Sequence, residues 1–339
     1  MFNPLKPPSG WPTQGPALVN LLSENETMRS LPHLSLLTLT SLIAACHTDQ
    51  GMNKTPDASS HDHHDQWVQA REDALRNPEG WLTLVGLVWL EPGSKVLGRD
   101  DQAGIAFEGA PASPSGTFDT TKEGRVSFTL SPGVTATING EPIESDRPIP
   151  LRNDVGGPSD ILRLGTLHIT NLQRQNQPVL RVRDHEAETL RNFNGLARYP
   201  FNAKWIVPAR FEPAPAGTTQ DVEDVTGHIS QESRAGTLNF QLDGTPCRLH
   251  ATAAGKEALF VVFGDETNGD ETYGGGRFLN VTPPDEHGMT TIDFNRAYIP
   301  PCSFTPFATC PIPDNDNRLQ IPITAGEQNA SSPTPENSR

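Results

Sequence analysis

From residue 80 onward the chain alternates short apolar runs with clusters of Gly, Pro, Asn and Asp, the period-two signature of strands separated by turns. Strands are expected at 104–107, 125–130, 134–139, 161–164, 166–171 and 179–183, and their number and spacing describe a β-sandwich. Ahead of them, residues 80–90 (GWLTLVGLVWL) are almost wholly apolar, which fits a strand buried on both faces and is too short to cross a bilayer. A second strand series is expected at 203–210, 222–226, 237–242, 248–251 and 258–263, with a last strand at 318–323 before a polar tail over 329–339. One short helix precedes them all: Trp67, Ala70, Ala74 and Leu75 recur at helical spacing over 67–77, and Pro78 stops it. The expected fold is therefore mainly β, with a β-sandwich domain over 67–186, a second β-rich domain over 187–328 and one short N-terminal helix.

Upstream of residue 67 the pattern has a different meaning. Residues 1–27 are Pro-rich and polar without apolar period, and read as disordered or untranslated. Met28-Arg29 is a short basic start, 31–43 an apolar core, and Ile43-Ala44-Ala45-Cys46 a lipobox, so 28–45 resembles a bacterial lipoprotein signal peptide. Small Ala44 and Ala45 fit a signal peptidase, and the Cys46 thiol takes the lipid. His47 follows Cys46 where Asp would resemble an inner-membrane retention signal. The expectation is a cell-envelope protein on the outer membrane, facing the periplasm and touching the membrane only through Cys46. Residues 46–66 are expected to be a polar tether. Within it His61-Asp62-His63-His64-Asp65 offers metal-ligand types, but a floppy segment cannot fix their geometry, so no metal is assigned.

Charge narrows the partners. A formal net charge of -15 argues against nucleic acid and anionic bilayers as partners of the whole surface. Residues 163–210 depart from it, with eight Lys and Arg against three Asp and Glu. Arg181 and Arg183 stand two apart on an expected strand and so point the same way, and two guanidinium forks on one face suit the carboxylate or phosphate of a small anionic molecule. The alternative is that they pair with acidic residues of the same chain.

Residues 264–313 concentrate charged, aromatic, Gly, Pro and Cys residues. Gly274-Gly275-Gly276 permits close backbone approach or an anion nest, although no Gly-Lys-Ser/Thr follows to make a phosphate loop. Around it, Tyr273, Arg277, Asn295, Arg296 and Tyr298 are candidate ligand-binding residues, and Glu266 and Asp293 are candidate acids or bases. The competing reading is a buried polar network that ties an irregular Pro-rich segment to the domain. Cys302 and Cys310 are expected to form a disulfide contributing ~2 to 3 kcal/mol in an oxidising compartment, leaving Cys247 as a small buried hydrophobe. Gly-x-Ser-x-Gly, His-Glu-x-x-His and cofactor motifs are all missing. The functional expectation is a small-anion binding module without cofactor, with a hydrolase built on the carboxylates and arginines of 264–313, or a structural or interaction protein of the envelope, as alternatives.

Two resemblances bear on this. Gly98-Arg99-Asp100, Ile138-Asn139-Gly140 and Leu164-Gly165-Thr166-Leu167 resemble the layout of the forkhead-associated sandwich, which binds phosphothreonine. The recognition-loop Ser and His of that family have no counterpart in 110–117, so that activity does not carry over. Gly80-Trp81-Leu82 with Leu84-Val85-Gly86-Leu87 and Trp89-Leu90, Arg181-Val182-Arg183-Asp184, and Thr272-Tyr273 with Gly276-Arg277-Phe278-Leu279 form an ordered set of motifs. With Asp293-Phe294-Asn295-Arg296-Ala297-Tyr298, Pro300-Pro301-Cys302 and Ala308-Thr309-Cys310-Pro311 they resemble the bacterial family named for domain of unknown function 1684, over about 67–327. The chain departs from that pattern at Ile299, where Asn is usual. The resemblance implies no activity.

Overall fold

The computed structural model describes residues 58–329 apart from 175 and 255–257. The expected signal peptide, Cys46, most of the expected tether and the expected tail beyond 329 lie outside the described residues.

The described chain opens with a helix, α1 (Ala58–Arg76), that starts well before the expected 67–77 and takes residues 58–66 out of the expected tether. It is held by tertiary contacts rather than by an apolar stripe. His64 and Leu75 are buried, and Arg71 reaches Glu327 (3.1 Å) and the carbonyl of Ile299 (3.2 Å). The turn after it is built tightly: a Cβ at Gly80 would sit 2.6 Å from the carbonyl of Leu75, and Thr83 Oγ1 donates to the carbonyls of Pro78 and Gly80.

The first domain contains β1 (Leu84–Trp89), β2 (Gly93–Gly98), β3 (Ile105–Ala106), β4 (Gly116–Thr120), β5 (Val126–Leu130), β6 (Ala136–Ile138), β7 (Glu141–Pro142), β8 (Ile149–Leu151), β9 (Ile161–Leu164), β10 (Leu167–Arg174) and β11 (Gln177–Asp184). They form a six-stranded sheet in the order β1-β11-β10-β9-β6-β7 and a five-stranded sheet in the order β3-β2-β4-β5-β8. One core of Leu97, Phe118, Phe128, Leu162, Leu164, Ile169, Leu180, Val182 and their neighbours joins residues of both sheets. The alternation of apolar side chains put them there, since period two places Leu180 and Val182 on one face of β11 and Arg181 and Arg183 on the other. The apolar 80–90 run is not one doubly buried strand. It begins as a short 3-10 turn (Trp81–Thr83) and continues as β1, an edge strand of the six-stranded sheet with a register break between Leu84 and Gly86, on which Val85, Leu87, Val88 and Trp89 are half-exposed.

The second domain is a seven-stranded sheet. It holds β12 (Ile206–Pro213), β13 (Thr219–Glu223), β14 (Ile229–Leu242), β15 (Thr245–Ala254), β16 (Ala258–Phe263), β17 (Arg277–Val281) and β18 (Met289–Asp293). The order is β17-β16-β15-β14-β12-β18, with β13 paired to β14. Asp243-Gly244, both at positive φ, makes the tight β14–β15 hairpin. The strand expected at 318–323 does not form. Only a single bridge, Gly264 to Arg318, is made there, because side chains hold the segment instead: Asn317 donates to the carbonyls of His250 (3.0 Å) and Val262 (2.9 Å), and Pro322 has no N–H to give. The two domains meet through Trp81, which packs with Phe278, Ala308, Cys310 and Tyr298, and through Thr305 Oγ1, which donates to the carbonyl of Leu84 (2.9 Å).

Candidate functional site

The glycine-rich, charge-rich stretch of the second domain is tied into the fold. Arg277 begins β17 with its side chain 0% exposed. Its Nη2 bonds Asp265 Oδ2 (2.8 Å) and the carbonyl of Ile323 (2.8 Å), and its Nη1 bonds the carbonyl of Ala325. Asp265 Oδ1 is filled by Thr267 N (3.0 Å), Thr267 Oγ1 (2.6 Å) and Ile323 N (3.1 Å). The Arg277 guanidinium is thus turned inward, tying Asp265 to the carbonyls of Ile323 and Ala325. Gly276, at φ 84°, stands where a Cβ would meet the Phe263 carbonyl at 2.7 Å, so its missing side chain serves strand packing.

The 293–298 motif is similarly engaged. Asn295 is buried, with Nδ2 bonded to Asp293 Oδ1 (2.9 Å) and to the Asn202 carbonyl (3.1 Å), while its Oδ1 accepts the Asn202 N–H (3.0 Å). Arg296 pairs with Asp293 at 3.3 Å. The Tyr298 ring stacks edge-on to Phe278 beneath the Arg71 guanidinium, and burial pushes its hydroxyl up to about 12. Glu266 is exposed on a loop. Of the two candidate bases, Asp293 is thus engaged by Asn295 and Arg296 while Glu266 faces solvent. The expected Cys302–Cys310 disulfide is not formed: both are free thiols, as is Cys247. The turn at Pro301–Ser303 aims the Cys302 amide at Cys310 Sγ (3.1 Å), and Cys302 also shares a hydrogen bond with Tyr273. A side-chain hydrogen bond with Cys310, and then that with Tyr273, hold the Cys302 thiol below its ordinary value, whereas the same thiol–thiol bond and burial push Cys310 up against the opposing Cys302 amide.

The basic residues of 163–210 separate into spent and unspent cations. Arg174 is bonded to Asp154 (2.6 Å). Arg198 faces Glu327 (3.2 Å) and lies over Trp67, and Lys204 lies over Trp205. Arg163, Arg181 and Arg183 are brought together on the outer face of the six-stranded sheet. His168 stands opposite both Arg163 on β9 and Arg183 on β11, and Thr170 stands opposite Arg181, so these side chains share one face. Arg183 has one distant partner, Glu79 at 3.6 Å, and Arg181 makes no hydrogen bond or ion pair among the described residues. Nε of both is shut off from solvent and unpartnered. Burial, then the charges of Arg183 and Arg174, push Arg181 down to about 10, and burial depresses Arg183 too. A guanidinium held in this way is short of negative charge.

Three residues that the sequence reading did not select complete the face. Glu79 comes from the turn after α1, and its Oε1 lies 2.8 Å from His168 Nδ1. Arg163 Nε donates to His168 Nε2 (3.2 Å), which places the His168 proton on Nδ1, directed at Glu79. His185 follows β11, and its ring centroid is 3.6 Å from that of His168. Burial, followed by His168, lowers the pKa of His185. Burial opposes ionisation of Glu79, but the His168 hydrogen bond and the Arg183 charge outweigh it and lower its pKa. The available sequence signal was that His168, Arg163 and Arg183 alternate with apolar core residues on expected strands. Glu79 gave none, because only the fold brings residue 79 to residue 168.

Residues 191–328 match the family model described as protein of unknown function (DUF1684). The solution NMR structure of an uncharacterised protein from Haloarcula marismortui shares 32% identity with the chain, over 42% of this chain and 80% of that one, with a TM-score of 0.35. No curated protein matches. The matched family segment contains the 264–313 stretch, while Arg163, Arg181, Arg183 and His168 lie before it.

Proposed function

From the premise that the chain belongs to the DUF1684 family, whose activity its description leaves open, we propose that this protein is a small-anion binding module of the bacterial cell envelope, lipid-anchored through Cys46. One observation carries the binding half: the half-buried Arg181 guanidinium has no partner, beside Arg183 with only a distant one. Burying an unpaired cation is costly, and such a group persists where a ligand supplies the missing charge. Two side chains on alternate residues of one strand stand about 7 Å apart along it, a span that suits a phosphate or a dicarboxylate. The anchor rests on the lipobox at 43–46.

The test is calorimetric titration of the purified protein with inorganic phosphate and with citrate, alongside Arg181→Met. Binding by the parent and its loss in Arg181→Met is the expected result. Equal heats from both proteins, or none from the parent, would overturn the proposal. A melting curve without ligand separates the roles further. If Arg181 waits for a ligand, Arg181→Met stabilises the protein by removing an uncompensated charge, whereas a structural Arg181 would be missed.

A further inference from the structure

We infer that Glu79, His168 and His185 form a binding site for a divalent transition metal of the zinc class, a site that borders the proposed anion site through Arg183 but whose three ligands are not part of it. One ligand atom from each lies within 4.8 Å of the other two. Around a tetrahedral ion with bonds near 2.1 Å, ligand atoms stand about 3.4 Å apart, so the three need to close or spread by little more than 1 Å. Two imidazoles and one carboxylate suit Zn²⁺, and a three-residue set leaves the fourth position open. Glu79, 47% exposed, keeps that position in reach of solvent, while His168, 12% exposed, is anchored in the sheet.

The surroundings are built for more than a surface contact. His185 Nε2 is buried and has no hydrogen-bond partner among the described residues, an acceptor or donor left idle. Its backbone is fixed by the His185 N–H bond to the Thr166 carbonyl (3.0 Å), and the Gly80 turn described above fixes Glu79. Arg183 faces the other oxygen of Glu79, Oε2, and so steers Oε1 toward His168, the outer support a ligating carboxylate ordinarily receives.

The Arg183 charge beside Glu79 also opposes a cation, but Arg163 is the contact that a metal must displace, and it makes the inference sharply testable. The His168 proton now sits on Nδ1, between the ring and Glu79 Oε1. A metal taking that place sends the remaining ring proton to Nε2, where it meets the Arg163 N–H instead of accepting from it. Arg163 must then swing toward solvent. A residue able to accept the Nε2 proton would remove the conflict.

The experiment uses tag-free protein, stripped with chelator and titrated with Zn²⁺ or Co²⁺ alone. Expected are one equivalent bound and, with Co²⁺, the visible absorption of a low-coordinate nitrogen and oxygen site. His185→Ala and Glu79→Gln should weaken binding by at least roughly 10-fold, the lower bound seen even for outer-shell partners. Arg163→Gln should tighten it, whereas His63→Ala, in the exposed His-rich part of α1, should leave it unchanged. Because His168 sits in the sheet, His168→Gln is checked for folding by its melt before its binding is read. The inference is overturned if the stripped parent binds less than a tenth of an equivalent, if His185→Ala binds as the parent does, or if Arg163→Gln weakens binding.

Discussion

Replacing Arg277 with Ala tests whether the most motif-rich part of the chain holds the fold together. The change removes a fully buried cation from a fully buried carboxylate, Asp265, at 2.8 Å. Asp265 retains three donors, Thr267 N, Thr267 Oγ1 and Ile323 N, but no positive charge. The carbonyls of Ile323 and Ala325 lose their donor at the same time, and the space over the Phe263 ring empties. Breaking a buried pair from one side costs about 3–5 kcal/mol, mostly the penalty of the charge left behind. For a domain of this size that lowers the melting temperature by roughly 6–20 °C. Differential scanning calorimetry reads it directly, with Arg210→Ala on the exposed side of β12 as a control expected to move stability by no more than about 0.5 kcal/mol. Replacing both partners, Arg277→Met with Asp265→Asn, should recover much of the loss, because it leaves no uncompensated charge. A single-variant melt within about 2 °C of the parent would refute the tie and return Arg277 to the ligand-binding candidates.

Three other outcomes are expected. Glu327, 0% exposed between Arg71 and Arg198, fastens α1 to the second domain, so Glu327→Ala should free the helix and speed trypsin cleavage at Arg71 and Arg76; an unchanged digestion pattern would contradict this. Burial, with Arg198 assisting and Asp293 opposing, holds buried His64 below its ordinary value. The unfolded chain then takes up the proton more readily than the folded one, so the contribution is complete above about pH 6.5 and fades as pH falls below it. His64→Leu should flatten the decline of melting temperature between about pH 7 and 5, and an equal slope in both proteins would count against the assignment. Cys46→Ser should move the protein from membrane to soluble fractions, and unchanged fractionation would end the lipoprotein reading.

The strands were legible where side-chain period and turn chemistry agreed. β9 and β16 fall on their expected residues, and most other strands within a few positions, because alternating apolar residues bounded by Gly, Asn and Asp leave few other arrangements. β2, β4, β7, β8, β17 and β18 were not legible: Gly, Lys, Thr and Asp dilute the apolar signal of β2, β4 and β18, β7, β8 and β17 are only two to five residues long, and pairing with neighbours decides them all. The reach of α1 back to Ala58 was hidden for a related reason, since Arg71 and His64 hold it through distant partners and no apolar stripe announces it. In the candidate site, period two placed Arg181 and Arg183 on one face from sequence alone. It could not tell Arg181, without a partner, from Arg277, whose two Nη groups Asp265 and two carbonyls engage. That distinction depends on residues 46 and 48 positions away in the chain.

The binding claim is tested most directly at the guanidinium itself. In a ¹H–¹⁵N spectrum of the arginine Nε groups, titration with inorganic phosphate should shift the Arg181 and Arg183 signals together and to saturation, since both Nε groups are buried and unpartnered. If those two signals stay in place while only exposed arginines such as Arg191 and Arg210 drift without saturating, the face binds no small anion and the account of this protein's function is wrong.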